Sequence, residues 1–122
     1  HRLFTVGKAV YRLCAAGHQP DGLGREAVAP PLKDGRWATA ANPGAAIRIV
    51  LNGKQGTPGY PGAMAPLATL TDEQIAGALT YVRRSFGNQA SAVPPQYVAR
   101  ARSQTNGRVA AWTDAELQQI EP

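Results

Sequence analysis

The chain has 122 residues, 43% of them hydrophobic, with 13 Gly, 10 Pro and a formal net charge of +5. This length allows one domain with a modest core, and the hydrophobic fraction excludes a wholly disordered chain. No apolar run approaches the roughly 18 residues of a membrane-spanning helix, and no stretch resembles a secretory signal peptide. Because the cations are scattered without interleaved aromatic residues, nucleic-acid binding is disfavoured. His1 already falls within a predicted helix, so we expect a mature or excised part of a longer protein.

The N-terminal segment is predicted to be helical. Its apolar residues, from Leu3 to Leu13, recur at helical spacing, and we expect the helix to end near Cys14. Residues 17–36 contain many Gly and Pro residues and little periodicity, which predicts a long loop. Long loops in compact domains are commonly functional or wrap something.

A second helix is predicted between Asn42 and Gly53. Asn42 is a favoured capping residue, Pro43 suits the first helical position, and Gly53 is a typical stop. Residues 53–66 are again rich in Gly and Pro, so a second long loop follows.

The strongest helical signal begins at Thr71. Thr71 and Gln74 have the spacing of a capping box, an apolar stripe follows over residues 75–86, and Gly87 would close the helix. Two basic residues in the last turns are expected to be solvated helix-end charges, Arg83 and Arg84.

Two short helices are predicted after residue 90. Pro94-Pro95 can start the first, and Thr113 with Glu116 forms a second capping box. No strand of convincing length is present, so the predicted class is all-α, with short helices separated by long loops. We expect residues 1–90 to form the domain and residues 91–122 a helical extension packed on it. Such a layout buries little unless something occupies its centre.

Cys14 is the only cysteine, so no internal disulfide can form. Cys14 and His18 are four residues apart and would share one face of a helical turn. A thiol and an imidazole so placed could bind a metal, form a nucleophile pair or hold haem. A structural zinc site is disfavoured because the only other strong candidate ligand is His1. A nucleophile pair is disfavoured because no orienting residue or oxyanion hole is evident nearby.

The chain resembles the class I cytochromes c, which carry Cys-x-x-Cys-His at the end of their first helix. Here the motif reads Cys14-Ala15-Ala16-Gly17-His18, with Gly in place of the second Cys. Further elements are similar in order and spacing over roughly residues 3–88: Gly7 with Tyr11, Asp21-Gly22 with Gly24, Pro30-Pro31-Leu32, Ala63-Met64-Ala65-Pro66, and the helix from Leu70 to Arg83.

This resemblance implies a cytochrome c-like fold around a haem c. It implies that Cys14 forms a single thioether to the haem and that His18 and Met64 ligate the iron. It also implies that the Pro30 carbonyl accepts the His18 ring N–H, and that Tyr11 belongs to the cofactor-binding residues. A site so ligated transfers single electrons and is no enzyme by itself.

The tail resembles extensions on cytochrome domains that are fused to, or partnered with, periplasmic dehydrogenases. We therefore expect a bacterial periplasmic or other extracytoplasmic location and a dehydrogenase as redox partner, while the oligomeric state is left open. A partner with an acidic surface would complement the basic charge of this chain.

Gly17 leaves several alternatives open. The haem could be held through Cys14 alone, it could be present but poorly attached, or the domain could be a haem-free descendant that acts as a protein-interaction module. An enzyme that uses Cys14 and His18 as a thiol–imidazole pair is a further alternative.

Overall fold

The computed structural model describes residues 2–120, and within them the chain forms six helices and no strand. The predicted all-α class is therefore confirmed. None of the described helices is both long and apolar enough to cross a membrane. In chain order the helices are α1 (Arg2–Val10), α2 (Arg12–His18), α3 (Gly44–Asn52), α4 (Asp72–Arg84), α5 (Pro95–Gln104) and α6 (Asp114–Leu117).

The first helical segment extends further than predicted. It continues through His18 as α2, with Tyr11 forming the turn between α1 and α2. The expected end near Cys14 was wrong because Ala15 and Ala16 favour helix strongly enough to carry the helix past Gly17. Cys14 consequently lies within α2, and His18 is its last residue, directly before the loop.

Both predicted capping boxes are present. The Thr71 hydroxyl accepts the Gln74 amide while the Gln74 side chain accepts the Thr71 amide, and Thr113 and Glu116 do the same at α6. Each box satisfies two backbone donors that a helix start leaves unpaired. At its other end α4 stops at Arg84, earlier than the predicted Gly87.

The main core lies between α3, α4 and α5. Ile47 of α3 and Ile75 of α4 are almost fully buried, and Val93 and Val98 pack into the same cluster from beyond residue 90. Residues 91–104 thus complete the core that α3 and α4 begin.

The prediction that Arg83 is a solvated helix-end charge was wrong. Its side chain is completely buried, whereas the neighbouring Arg84 is exposed. The Arg83 guanidinium donates to the carbonyls of Ala38, Ala40 and Ser91 at 2.7–3.2 Å. The prediction failed because these acceptors come from distant segments that fold over the end of α4.

Candidate functional site

Helix α2 presents Cys14 and His18 one turn apart on the same face. Tyr11, at the start of α2, is buried, and its hydroxyl donates to the carbonyl of Gln19 at 2.7 Å. Burial is the main reason why the pKa of Tyr11 is raised, so the phenol keeps its proton and this hydrogen bond. Tyr11 therefore ties the beginning of α2 to the residue that follows His18.

The His18 imidazole is oriented by Pro30. Nδ1 of His18 lies 2.7 Å from the Pro30 carbonyl oxygen. A carbonyl oxygen only accepts, so we assign the proton to Nδ1 and the free lone pair to Nε2. Burial lowers the pKa of His18 and so favours the neutral ring, and the hydrogen bond to Pro30 acts in the opposite direction with a smaller effect. Among residues 2–120 Nε2 has no hydrogen-bond partner. A neutral imidazole with a bare Nε2 is in the state required of a metal ligand.

Gly24 allows the Pro30 segment to close over the end of α2. It has a φ of +76°, and a Cβ there would lie 2.4 Å from the carbonyl oxygen of Ala29. The Gly24 amide also donates to the His18 carbonyl at 3.0 Å. The loop that carries the Pro30 acceptor is thereby fixed to the helix that carries the imidazole.

Cys14 is a protected thiol rather than an activated nucleophile. It packs against the small cluster of Tyr11, Ala38 and Val82, and burial alone raises its pKa. No cation or imidazole lowers that pKa, and Nδ1 of His18 is already engaged by Pro30. Reactive cysteines need the opposite environment. The geometry thus argues against a Cys/His thiol enzyme.

The fold does not require glycine at position 17. A Cβ added to Gly17 would meet only the Cβ of Ala29, at 3.3 Å, and the backbone there is not in the left-handed region. A small side chain would need Ala29 to give by a few tenths of an ångström. The missing second cysteine of the motif is therefore not explained by lack of space.

Met64 lies in the second long loop, half-buried, with its backbone fixed to the end of α3. Its amide donates to the Lys54 carbonyl at 2.8 Å, and the Lys54 amide donates to the Met64 carbonyl at 3.2 Å. Gly53 makes this approach possible, because a Cβ there would stand 2.3 Å from the Met64 carbonyl oxygen. These contacts fix the loop to α3 rather than to α2, so Met64 and His18 are held by separate parts of the fold.

Lys54, which no sequence pattern singles out, is almost completely buried and forms the backbone hydrogen bonds to Met64. The only local signal was Gly53, interpreted as a helix stop. Its φ of +90° and its contact with Met64 show a second role that spacing along the chain could not reveal.

The donor set fits a haem better than a bare metal ion. Among the described residues no three His, Cys, Asp or Glu side chains are grouped as metal ligands. What is available is a partly buried thiol, a neutral imidazole with a bare nitrogen, and one thioether. Covalent attachment through sulfur and axial ligation by nitrogen and a soft sulfur are what a c-type haem uses.

Comparisons with known proteins agree with this donor set. Residues 4–86 match the family Cytochrome c. The chain is 32% identical over 108 residues to the fructose dehydrogenase cytochrome subunit of Gluconobacter japonicus, an alignment that covers 81% of this chain and 22% of that subunit. It is also 32% identical over 90 residues to cytochrome c-552 of Thermus thermophilus, covering 67% of this chain and 69% of that protein.

The chain thus spans about a fifth of the length of the fructose dehydrogenase subunit. The family match covers both the α2 segment and the Met64 loop. The chain belongs to the cytochrome c family, whose members carry covalently attached haem c and transfer electrons rather than catalyse reactions of their own.

Proposed function

We propose that this chain is a one-electron carrier in which Cys14 forms the only thioether to the haem, and Nε2 of His18 and the sulfur of Met64 ligate the iron. The observation that carries the proposal is the 2.7 Å contact between Nδ1 of His18 and the Pro30 carbonyl, which leaves Nε2 bare. When bound, the haem supplies a one-electron couple between ferric and ferrous iron.

The surrounding residues have distinct tasks. The Pro30 carbonyl fixes the imidazole plane and raises its basicity as a ligand. Met64 supplies a soft thioether that favours the reduced state. Two protein ligands leave no open position for a substrate, which suits electron transfer.

Attachment is tested with substitutions at positions 14 and 17. The wild-type chain, matured in a host that attaches haem, should show a covalent haem by intact mass and keep its colour after acid–acetone extraction. Cys14→Ala should lose its haem on extraction. Gly17→Cys should gain a second thioether and move the reduced α-band in pyridine to shorter wavelength, because each thioether removes a vinyl group from conjugation. Gly17→Ser is the matched control, since it has nearly the same shape without a thiol.

The result separates the alternatives. A folded, colourless wild-type chain would show a haem-free interaction module and end this proposal. Colour that extraction removes from the wild type would show a haem that is not covalently attached.

For the partner, we propose a dehydrogenase domain or subunit in an extracytoplasmic compartment. Support comes from the similarity to a fructose dehydrogenase cytochrome subunit and from the net charge of +5. If an acidic partner surface guides the encounter, the second-order rate of haem reduction should fall as ionic strength rises. A rate indifferent to salt would contradict steering by charge.

We also propose that residues 1–90 bind the haem and that residues 91–122 are an extension packed on this domain. Val93, Val98 and Ala101 support the packing, because they lie outside the matched region 4–86 and are buried in the same core cluster as α3 and α4.

A further inference from the structure

The segment directly after α3, Gly53–Gln55, can form backbone hydrogen bonds along two edges, and Met64 pairs with only one of them. The other edge is taken by Trp112, whose amide donates to the Gly53 carbonyl at 2.9 Å and whose carbonyl accepts the Gln55 amide at 2.9 Å. Lys54 thus has Met64 paired antiparallel on one side and Trp112 paired parallel on the other. The C-terminal extension and the Met64 loop share one backbone support.

Side-chain contacts of Lys54 also connect the Met64 loop with the C-terminal extension. The ammonium group of Lys54 pairs with the Asp114 carboxylate at 3.0 Å and donates to the Thr57 hydroxyl at 2.5 Å. Asp114 also accepts the Trp37 indole N–H at 2.9 Å. Because only 10% of the Lys54 side chain is exposed, its charge depends on this carboxylate for compensation.

The Trp112 side chain contacts both the end of α3 and the Arg108 guanidinium. Its indole N–H donates to the Asn52 side chain at 3.0 Å, at the last residue of α3. The Arg108 guanidinium lies 3.4 Å from the ring centroid and is bound in turn by Glu116. The segment 108–117, which we call the C-terminal clamp, is therefore attached to the end of α3 through backbone, indole and carboxylate.

We propose that the C-terminal clamp holds the Met64 loop in place, with Asp114 and Trp112 acting as positioning residues for Met64 as an iron ligand. This inference rests on the proposed ligation by Met64 for its effect on the iron, and on the contacts of Lys54 for its effect on the loop. A chain without the clamp would leave the Gly53–Gln55 segment supported on one edge only.

The test uses the haem-loaded full chain with three substitutions. Asp114→Asn removes the charge that faces Lys54, and Trp112→Phe removes the indole hydrogen bond to Asn52. Asp72→Asn is the matched control: it also removes one carboxylate from an ion pair, with Arg102, and the exposure of the two acidic side chains is similar, 30% for Asp114 and 38% for Asp72. All three are compared with Met64→Ala.

Two measurements are made on each protein. Amide hydrogen exchange of the peptide containing Met64 reports how firmly the loop is held. The rate at which added imidazole replaces the methionine, followed by loss of the weak far-red band of ferric Met-ligated haem, reports how this affects the iron. We expect Asp114→Asn and Trp112→Phe to raise both rates about fivefold or more, as loss of a charge-assisted or part-buried hydrogen bond implies.

The inference would be overturned if both clamp variants exchanged amide hydrogens and bound imidazole at rates within about twofold of those of Asp72→Asn. Failure of the ligation proposal has a different signature: the wild type would then bind imidazole as fast as Met64→Ala does. In that case the exchange comparison still decides whether the clamp holds the loop. If Asp114→Asn does not fold, Trp112→Phe alone gives the same comparison.

Discussion

Gly7 and Gly77 meet where α1 crosses α4, so closely that a Cβ on Gly7 would stand 1.8 Å from the carbonyl oxygen of Gly77. From the other side, a Cβ on Gly77 would lie 3.0 Å from the Gly7 amide nitrogen. Backbone atoms cannot move aside as the end of a long side chain can. This contact brings Tyr11, one turn further along, against Tyr81 with ring centroids 5.3 Å apart.

Gly7→Ala should therefore destabilise the protein although alanine favours helix. The clash with backbone should outweigh the propensity gain of about 1 kcal/mol and leave a net loss of about 2 kcal/mol or more. Chemical unfolding of the haem-loaded protein measures this loss in the free energy of unfolding. Gly62→Ala is the control, because a Cβ there meets nothing within 4 Å. Equal unfolding midpoints for the two variants would show that the crossing tolerates a side chain.

Arg83→Met should be strongly destabilising. The substitution leaves the buried carbonyl of Ala38 and the part-buried carbonyls of Ala40 and Ser91 without their donor, and an unpaired buried carbonyl costs about 1–3 kcal/mol. We expect a loss of about 3 kcal/mol or more, against less than about 0.5 kcal/mol for the exposed neighbour in Arg84→Met. Unfolding curves of the two variants provide the comparison, and similar losses would mean that Arg83 is not the tie between these segments.

Glu116 should make stability depend on pH in the acid range. Hydrogen bonds from Arg108 and from the Thr113 amide lower its pKa from 4.5 to about 2. A lowered carboxyl pKa stabilises the folded state above pH 4.5, and this contribution disappears as the pH falls towards 2. The difference in unfolding midpoint between wild type and Glu116→Gln should accordingly shrink over this interval. A difference that stays constant down to pH 2 would contradict the assignment.

Met64→His should lower the midpoint potential of the haem while leaving it low-spin. Imidazole is a harder ligand than a thioether and stabilises ferric iron relative to ferrous iron. Axial ligands shift haem potentials over about 0.8 V, so we expect a decrease of about 0.1 V or more in a spectroelectrochemical titration. An unchanged potential would show that Met64 is not bound to the iron.

Local signals in the sequence predicted most of the helices. The capping boxes at Thr71 and Thr113 were correct because both partners lie within four residues and the helix start needs their hydrogen bonds. The His18–Pro30 hydrogen bond was also predicted, through the family resemblance rather than through spacing.

Contacts between distant segments were not predictable in this way. Arg83 looks like any helix-end charge until residues 38–40 and 91 fold over it. Lys54 and Trp112 are nearly sixty residues apart, and no periodicity reports that their backbones pair. Sequence patterns record what a residue prefers locally, while these two roles depend on which carbonyl or amide the fold brings near.

The most direct test of the central claim, an iron held between His18 and Met64 with Cys14 as attachment point, is the visible spectrum of the purified chain followed through a redox titration. We predict a Soret band, a sharp α-band on reduction, a far-red ferric band, and a titration curve for a single electron. A folded protein without these bands, or a ferric spectrum that is high-spin, would contradict the claim.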